Sequence, residues 1–261
     1  MKKLPEVTLL FWIMKIAATT LGETSGDLLS MTLNLGYAVS SIILFGFFLV
    51  TVVPQMISKK YHPIIYWSVI LSTTMVGTTI SDYMDRTLHL GYIAGSAILL
   101  AILLTIFAFW RLSGQPLDVE KIRSSKAEML YWLAILVSNT LGTALGDFFS
   151  DTSGLGYAGG AELIGAVLLL AAFAAYFTKV PKVFLFWLAF ILTRPFGATF
   201  GDLFTKPLGH GGLGVGTIDS SFILLAILGS CMAYCTRQHY RDLQRQRLVN
   251  TEGERDLQAF Q

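Results

Sequence analysis

The sequence predicts an all-α integral membrane protein. Its eight transmembrane helices form four parallel helical-hairpin repeats, with both termini in the cytoplasm. Three observations predict this: an apolar composition spread along the whole chain, connectors that alternate in charge, and an internal repeat. Of the 261 residues, 54% are hydrophobic and 14% charged, and mean hydropathy is +0.61. Soluble domains carry roughly a quarter charged residues. Because the apolar content is not confined to one end, a soluble domain with a single anchor is excluded. The run behind Met1, Lys2 and Lys3 is too long for a removable signal and is expected to be the first span. A net charge of +2 gives no reason to expect a nucleic-acid partner.

A helix that crosses the hydrocarbon needs about 20 mostly apolar residues. Eight segments qualify: 5–28, 37–57, 62–84, 92–111, 127–149, 157–178, 182–204 and 213–236. Their connectors fall into two sets. The set at the termini, 58–60, 111–126 and 179–182 holds 15 of the 19 Lys and Arg residues. The other set (30–36, 85–91, 150–156 and 205–212) is short and Gly-rich, and holds only Arg86 and Lys206. The positive-inside bias places the first set and both termini in the cytoplasm. Residues 1–110 then carry repeats 1 and 2, and 111–126 form a cytoplasmic linker. Repeats 3 and 4 occupy 127–236, and 237–261 form a basic tail with Arg237, Arg241, Arg245 and Arg247 at near-helical spacing. Such a tail suits anionic lipid headgroups or a partner.

The repeat lies in the odd spans. Phe11-Trp12 matches Tyr66-Trp67, Tyr131-Trp132 and Phe186-Trp187, at offsets of 55, 65 and 55 residues. The same offsets relate Gly22, Gly77, Gly142 and Gly197, and then Asp27, Asp82, Asp147 and Asp202. They also relate Gly36, Gly91, Gly156 and Gly211. The aromatic pairs are expected in an interfacial belt. The inner glycines are expected where helices approach closely, and the outer ones in tight turns. Parallel repeats imply a pseudo-symmetry axis along the membrane normal. Four equivalent odd helices around that axis is the natural arrangement, and two related pairs also fit.

Packing does not call for four aspartates at one position, because a carboxylate in hydrocarbon costs about 2.5–3.5 kcal/mol by the lower estimates. Residues four apart share a helix face. The face of Asp27 also carries Lys15, Thr19 and Glu23; the others carry Thr74-Thr78-Asp82, Asn139-Thr143-Asp147 and Arg194-Ala198-Asp202. Polar stripes on apolar helices turn inward, so the carboxylates are expected to converge near the outer mouth of a central cavity. The alternative is that each aspartate caps its own outer turn. The outer half holds nine acids (Glu23, Asp27, Asp82, Asp85, Asp147, Asp151, Glu162, Asp202 and Asp219) against Lys15, Arg86, Arg194 and Lys206. Such a field attracts cations. Oxygen ligands suit hard divalent metals, and crowded carboxylates share protons.

The stretches Thr20–Asp27, Thr140–Asp147 and Gly197–Asp202 resemble a bacterial family known only as uncharacterised membrane-anchored proteins. That resemblance implies a multi-pass protein of the bacterial inner membrane. The run from Glu23 to Asp27 is also similar, more loosely, to the Glu-x-Gly-Asp motif of Gdt1-type calcium/manganese–proton exchangers. It has one residue more between Glu and Gly, and only the first repeat has the Glu. By analogy this implies a proton-coupled exporter of a divalent cation, manganese first. No nucleophile–base signature or Gly-rich phosphate loop stands out, so neither an enzyme nor a cofactor is expected. Asp27, Asp82, Asp147, Asp202 and Glu23 would bind the ion, with Thr78, Thr143 and Asn139 lining its path. The alternatives are a channel or carrier for an organic or anionic solute held by Arg194 and Lys15, and a non-transporting scaffold or sensor. The partners expected are the bilayer, a small inorganic cation and protons; assembly with further copies of the chain is left open. Cys231, Cys235 and His239 recur at helical spacing, which suits either packing or a soft metal.

Overall fold

In the computed structural model, residues 4–259 are described. Lys2, Lys3 and the side chains of Arg245 and Arg247 lie outside the described residues. Eight long helices follow one another: α1 (Leu9–Asp27), α2 (Tyr37–Ile57), α3 (Pro63–Asp82), α4 (Gly91–Leu112), α5 (Ser125–Asp147), α6 (Gly156–Phe177), α7 (Lys182–Thr205) and α8 (Thr217–Ala259). No strand occurs among the described residues. Seven of the helices are long and apolar enough to cross a membrane. The exception is α1, whose apolarity is diluted by Lys15, Glu23, Asp27 and its threonines.

Local chemistry accounts for the boundaries. Thr8 and Ser124 cap α1 and α5 by accepting from the backbone N–H groups of Phe11 and Ala127, as N-cap hydroxyls do. Pro63 opens α3, where its missing N–H costs nothing. The four outer glycines, Gly36, Gly91, Gly156 and Gly211, all take positive φ, between 65° and 84°. That conformation turns the chain from each odd helix towards the next even one. The expected last span, 213–236, begins later and runs on as one helix to Ala259, so the tail extends α8.

Three odd helices do not stop at their aspartate. Directly after Asp27, Asp82 and Asp147 the backbone widens into single π turns, Leu28–Thr32, Tyr83–Thr87 and Phe148–Thr152. Each closes with an i−5 bond: Leu33 to Leu28, Leu88 to Tyr83 and Ser153 to Phe148. Such turns inside helices are rare and concentrate at functional positions. The fourth repeat has none, because Pro207 follows Thr205 within two residues and a 3₁₀ turn, Leu208–His210, takes over.

The odd helices form the centre. α1 packs on α3, α3 on α5, α5 on α7 and α7 back on α1. At each seam paired residues near the helix starts touch, and so do paired residues near the ends, so all four run the same way. The even helices lie outside. Most of the apolar stretch of α3 and α5 is buried, against 17% in α2 and 11% in α8. Each even helix packs on the odd helix of the next repeat: α2 on α3, α4 on α5, α6 on α7 and α8 on α1. The arms of a hairpin therefore do not form the main contact; every repeat is completed by its neighbour, and the last completes the first.

The seams of the ring repeat as well. A Cβ added to Gly22 would strike Thr74; one added to Gly77 would lie 2.9 Å from the backbone carbon of Asn139. Gly142 carries the side chain of Arg194, and Gly197 carries Thr19. Thr74, Asn139, Arg194 and Thr19 are equivalent positions. Small residues thus admit the polar stripe of the adjacent helix at every seam.

A polar column between two closed ends

The stripes face the axis of the ring. Lys15, Thr19, Thr74, Thr78, Asn139, Thr143 and Arg194 are fully buried, and Glu23, Asp27, Asp82, Asp147 and Asp202 are 1–6% exposed. The aspartates therefore do not cap separate outer turns. One oxygen each of Glu23, Asp147 and Asp202 lies within 4.8 Å of the other two. Three different repeats supply this cluster.

Every carboxylate of the column also has a cationic neighbour. Arg194 Nη2 donates to Glu23 Oε2 at 2.8 Å and to the hydroxyls of Thr78 and Thr143 at 2.5 and 2.6 Å. Glu23, Thr78 and Thr143 are equivalent positions, and Ala198 is the fourth. Its small side chain goes together with an arginine one turn earlier on α7 that reaches into this layer. The lost hydroxyl and the gained charge of the fourth repeat are thus one change. Closer to the helix starts, Lys15 Nζ donates to Asn139 Oδ1 at 3.3 Å and lies 4.0 Å from the centre of the Phe190 ring. Asn139 in turn donates to Thr73 at 3.0 Å.

At the C-terminal end of the odd helices two bridges recur. Arg86 lies 3.1 Å from Asp82 and 3.2 Å from Asp147. Lys206 lies 3.1 Å from Asp202 and 3.2 Å from Asp27. Burial works against the charge of Lys206, but Asp202 and Asp27 outweigh it and hold the amine above its usual value. Arg86 and Lys206 are 120 residues apart, as are Asp82 and Asp202, and Asp27 and Asp147. The two bridges are therefore one device repeated in each half. Each joins residues 1–110 to residues 127–236, across the α3–α5 and α7–α1 seams.

The N-terminal end is closed by the aromatic pairs. Phe11 meets Trp67 at 5.5 Å, Tyr66 meets Trp132 at 5.6 Å, Tyr131 meets Trp187 at 6.0 Å and Phe186 meets Trp12 at 5.9 Å. The hydroxyls of Tyr66 and Tyr131 share a hydrogen bond of 2.7 Å. Six of the eight rings are buried, which corrects the expected interfacial belt: they form a collar across the ring axis.

Of the nine acids expected around the site, five reach it. Glu162 and Asp219 are exposed. Asp85 turns towards Gly95 of α4 and accepts from Ser81. Asp151 sits at the rim, where Tyr92 donates to it. The bridging role of Arg86 and Lys206 was not read from the sequence, although each stands four residues after an aspartate, the spacing of a helical ion pair. Cys231 and Cys235 pack against the core, Cys235 with Met14 at 3.5 Å, and His239 lies edge-on to Tyr61. These contacts fit the packing reading.

A family model described as "Repeat of Unknown Function (DUF347)" matches residues 10–61, 65–115, 130–180 and 185–240. The four matches begin at the 55, 65 and 55 offsets of the tryptophans. No curated protein and no solved structure matches the chain.

Proposed function

We propose that this chain, which belongs to the family of the Repeat of Unknown Function (DUF347), is a membrane transporter of a small cation. The first candidate is a divalent metal, manganese before others, exported in exchange for protons. In this reading all eight helices cross the bacterial inner membrane as four parallel repeats. Both termini, and with them the aromatic collar, face the cytoplasm; the bridges of Arg86 and Lys206 face outward.

The observation that carries the reading is the convergence of Glu23, Asp147 and Asp202 within 4.8 Å. Oxygen donors at that separation suit a hard cation. Buried carboxylates on membrane helices mark ion and proton pathways. Without cargo, Arg194, Arg86 and Lys206 supply the counter-charge. An entering cation competes with them for the same oxygens, and a leaving cation returns the carboxylates to those partners or to protons. Thr78 and Thr143 bind Arg194 by their hydroxyls and so set where it rests when Glu23 turns to the cargo. With the column closed at both ends, cargo is enclosed before either end opens.

Reconstitution into liposomes tests this. With a pH gradient and manganese(II), the wild type takes up metal. Glu23→Gln and Asp202→Asn each lower apparent metal affinity by about 10-fold or more, since loss of even an outer partner of a metal ligand costs that much, while Glu162→Gln, an exposed acid, leaves it unchanged. Absence of uptake for manganese, calcium, magnesium and zinc alike would sink the reading.

A further inference from the structure

The column is polarised along its axis. At the level of the bridges, four aspartates share Arg86 and Lys206. Closer to the helix starts Arg194 and Lys15 are both fully buried; Glu23, with an oxygen within 4.8 Å of one each of Asp147 and Asp202, is the carboxylate bonded to Arg194, and Lys15 has an amide and a ring for neighbours. Arg194 donates through Nη2 alone. Its Nε and Nη1 have no hydrogen-bond partner among the described residues, and they carry three of the five guanidinium N–H groups. Lys15 donates to Asn139 and otherwise meets the face of Phe190, although an ammonium has three N–H groups.

An arginine stays protonated in proteins, so it cannot relieve this by losing its charge. Buried donors without acceptors are costly, and a buried ammonium that meets an amide and a ring in place of a carboxylate, as Lys15 does, more so. A neutral donor–acceptor group would supply acceptors but leave the charge. A negatively charged, acceptor-only group supplies both.

We propose that Arg194 and Lys15 form a binding site for a small monovalent anionic group that accompanies the cation held by Glu23, Asp147 and Asp202. The inference deepens the transport reading and rests on it for its purpose, though not for its geometry. The group has two sources of the same chemistry. It is a free anion moving with the cation, or the carboxylate of a zwitterion whose cationic end lies at the carboxylate cluster. Either one lies with its negative end towards the aromatic collar.

The test is the melting temperature of the purified full-length protein in detergent at constant ionic strength, first with potassium sulfate as the reference salt. Potassium chloride and potassium acetate are then titrated in, followed separately by glycine and by glycinamide, which lacks the carboxylate. A saturable rise with chloride or acetate assigns a free anion. A rise with glycine, but with neither glycinamide nor acetate, assigns the zwitterion. In both cases the rise disappears in Lys15→Met and Arg194→Gln. The wild-type titrations stand alone should those variants fail to fold, and Lys15→Arg, which keeps the charge, then retains the response.

A wild type indifferent to all four probes overturns the proposal, and so does a response that persists at full size in Lys15→Met. Manganese is titrated into the same samples. A manganese response without an anion response removes this inference and leaves the transport reading. An anion response without a manganese response removes the metal and keeps the site.

Discussion

At the start of the odd helices eight aromatic rings meet in four like pairs, whereas at their far end two cations hold four carboxylates. The collar follows the fourfold repeat: each aromatic residue touches the tryptophan of the next repeat. The bridges follow only the twofold relation between the halves. Met31 and Asp151 stand at the positions equivalent to Arg86 and Lys206, so the α1–α3 and α5–α7 seams have no matching bridge. Contacts between rings depend on shape and area and respond little to salt or protonation. Ion pairs depend on both. One chain thus closes one end of its column by packing and the other by charge. Of the two ends, the charged one is held by contacts that protonation or a competing cation weakens.

Removing the bridges gives the largest expected effect. Arg86→Gln leaves Asp82 and Asp147 buried without their cation, and Lys206→Gln does the same to Asp27 and Asp202. Breaking a buried pair from one side costs about 3–5 kcal/mol. Arg86 is partly exposed, which places it at the lower end. The double variant should depart from the simple sum, because an oxygen of Asp147 in one bridge lies within 4.8 Å of one of Asp202 in the other and neighbouring charges are not additive. Thermal unfolding in detergent measures this, and adding Asp82→Asn and Asp147→Asn to Arg86→Gln should restore much of the loss. A single variant as stable as the wild type would mean that the bridges do not hold this end. Trp67→Ala at the collar should cost a similar amount per residue, about 3–5 kcal/mol for a large aromatic removed from a core. Its loss should not change between low and high salt, whereas that of Arg86→Gln should.

The part of this architecture legible in the sequence is the part that repeats. Trp12, Trp67, Trp132 and Trp187 fixed the period, and the same offsets picked out the aspartates and the turn glycines that the structure places alike. The convergence of the stripes followed from helical spacing and from the cost of burying charge. What was not legible depends on neighbours. Nothing within a hairpin says that its even arm packs on the next repeat, since α2, α4 and α6 are apolar nearly all round. Arg86 and Lys206 looked like turn residues because the π turns that carry the α3 backbone past Asp82 have no sequence signature. The aromatic pairs looked interfacial because Trp and Tyr favour bilayer interfaces; only the closed ring shows that these face inward. The arginine of the fourth repeat was visible as a departure, but its link to Ala198 required knowing that one turn separates them across a shared layer.

The smallest expected effect tests whether the collar is held by polarity at all. Tyr66 and Tyr131 share the one hydrogen bond that crosses it between hydroxyls, at 2.7 Å and fully buried. Interhelical hydrogen bonds in membrane proteins average about 0.6 kcal/mol, well below the several kcal/mol expected from the rings themselves. Tyr131→Phe keeps the ring and its contacts with Trp132 and Trp187 and removes the hydroxyl. It also leaves the hydroxyl of Tyr66 without this partner, which adds to the loss. A second change, Tyr66→Phe, removes that stranded group. The double variant should therefore be no less stable than Tyr131→Phe alone, since two apolar rings can replace a hydrogen-bonded pair at little cost. A double variant that loses more than the two single variants combined would mean that the hydroxyl pair, and not the ring packing, sets the geometry of this end.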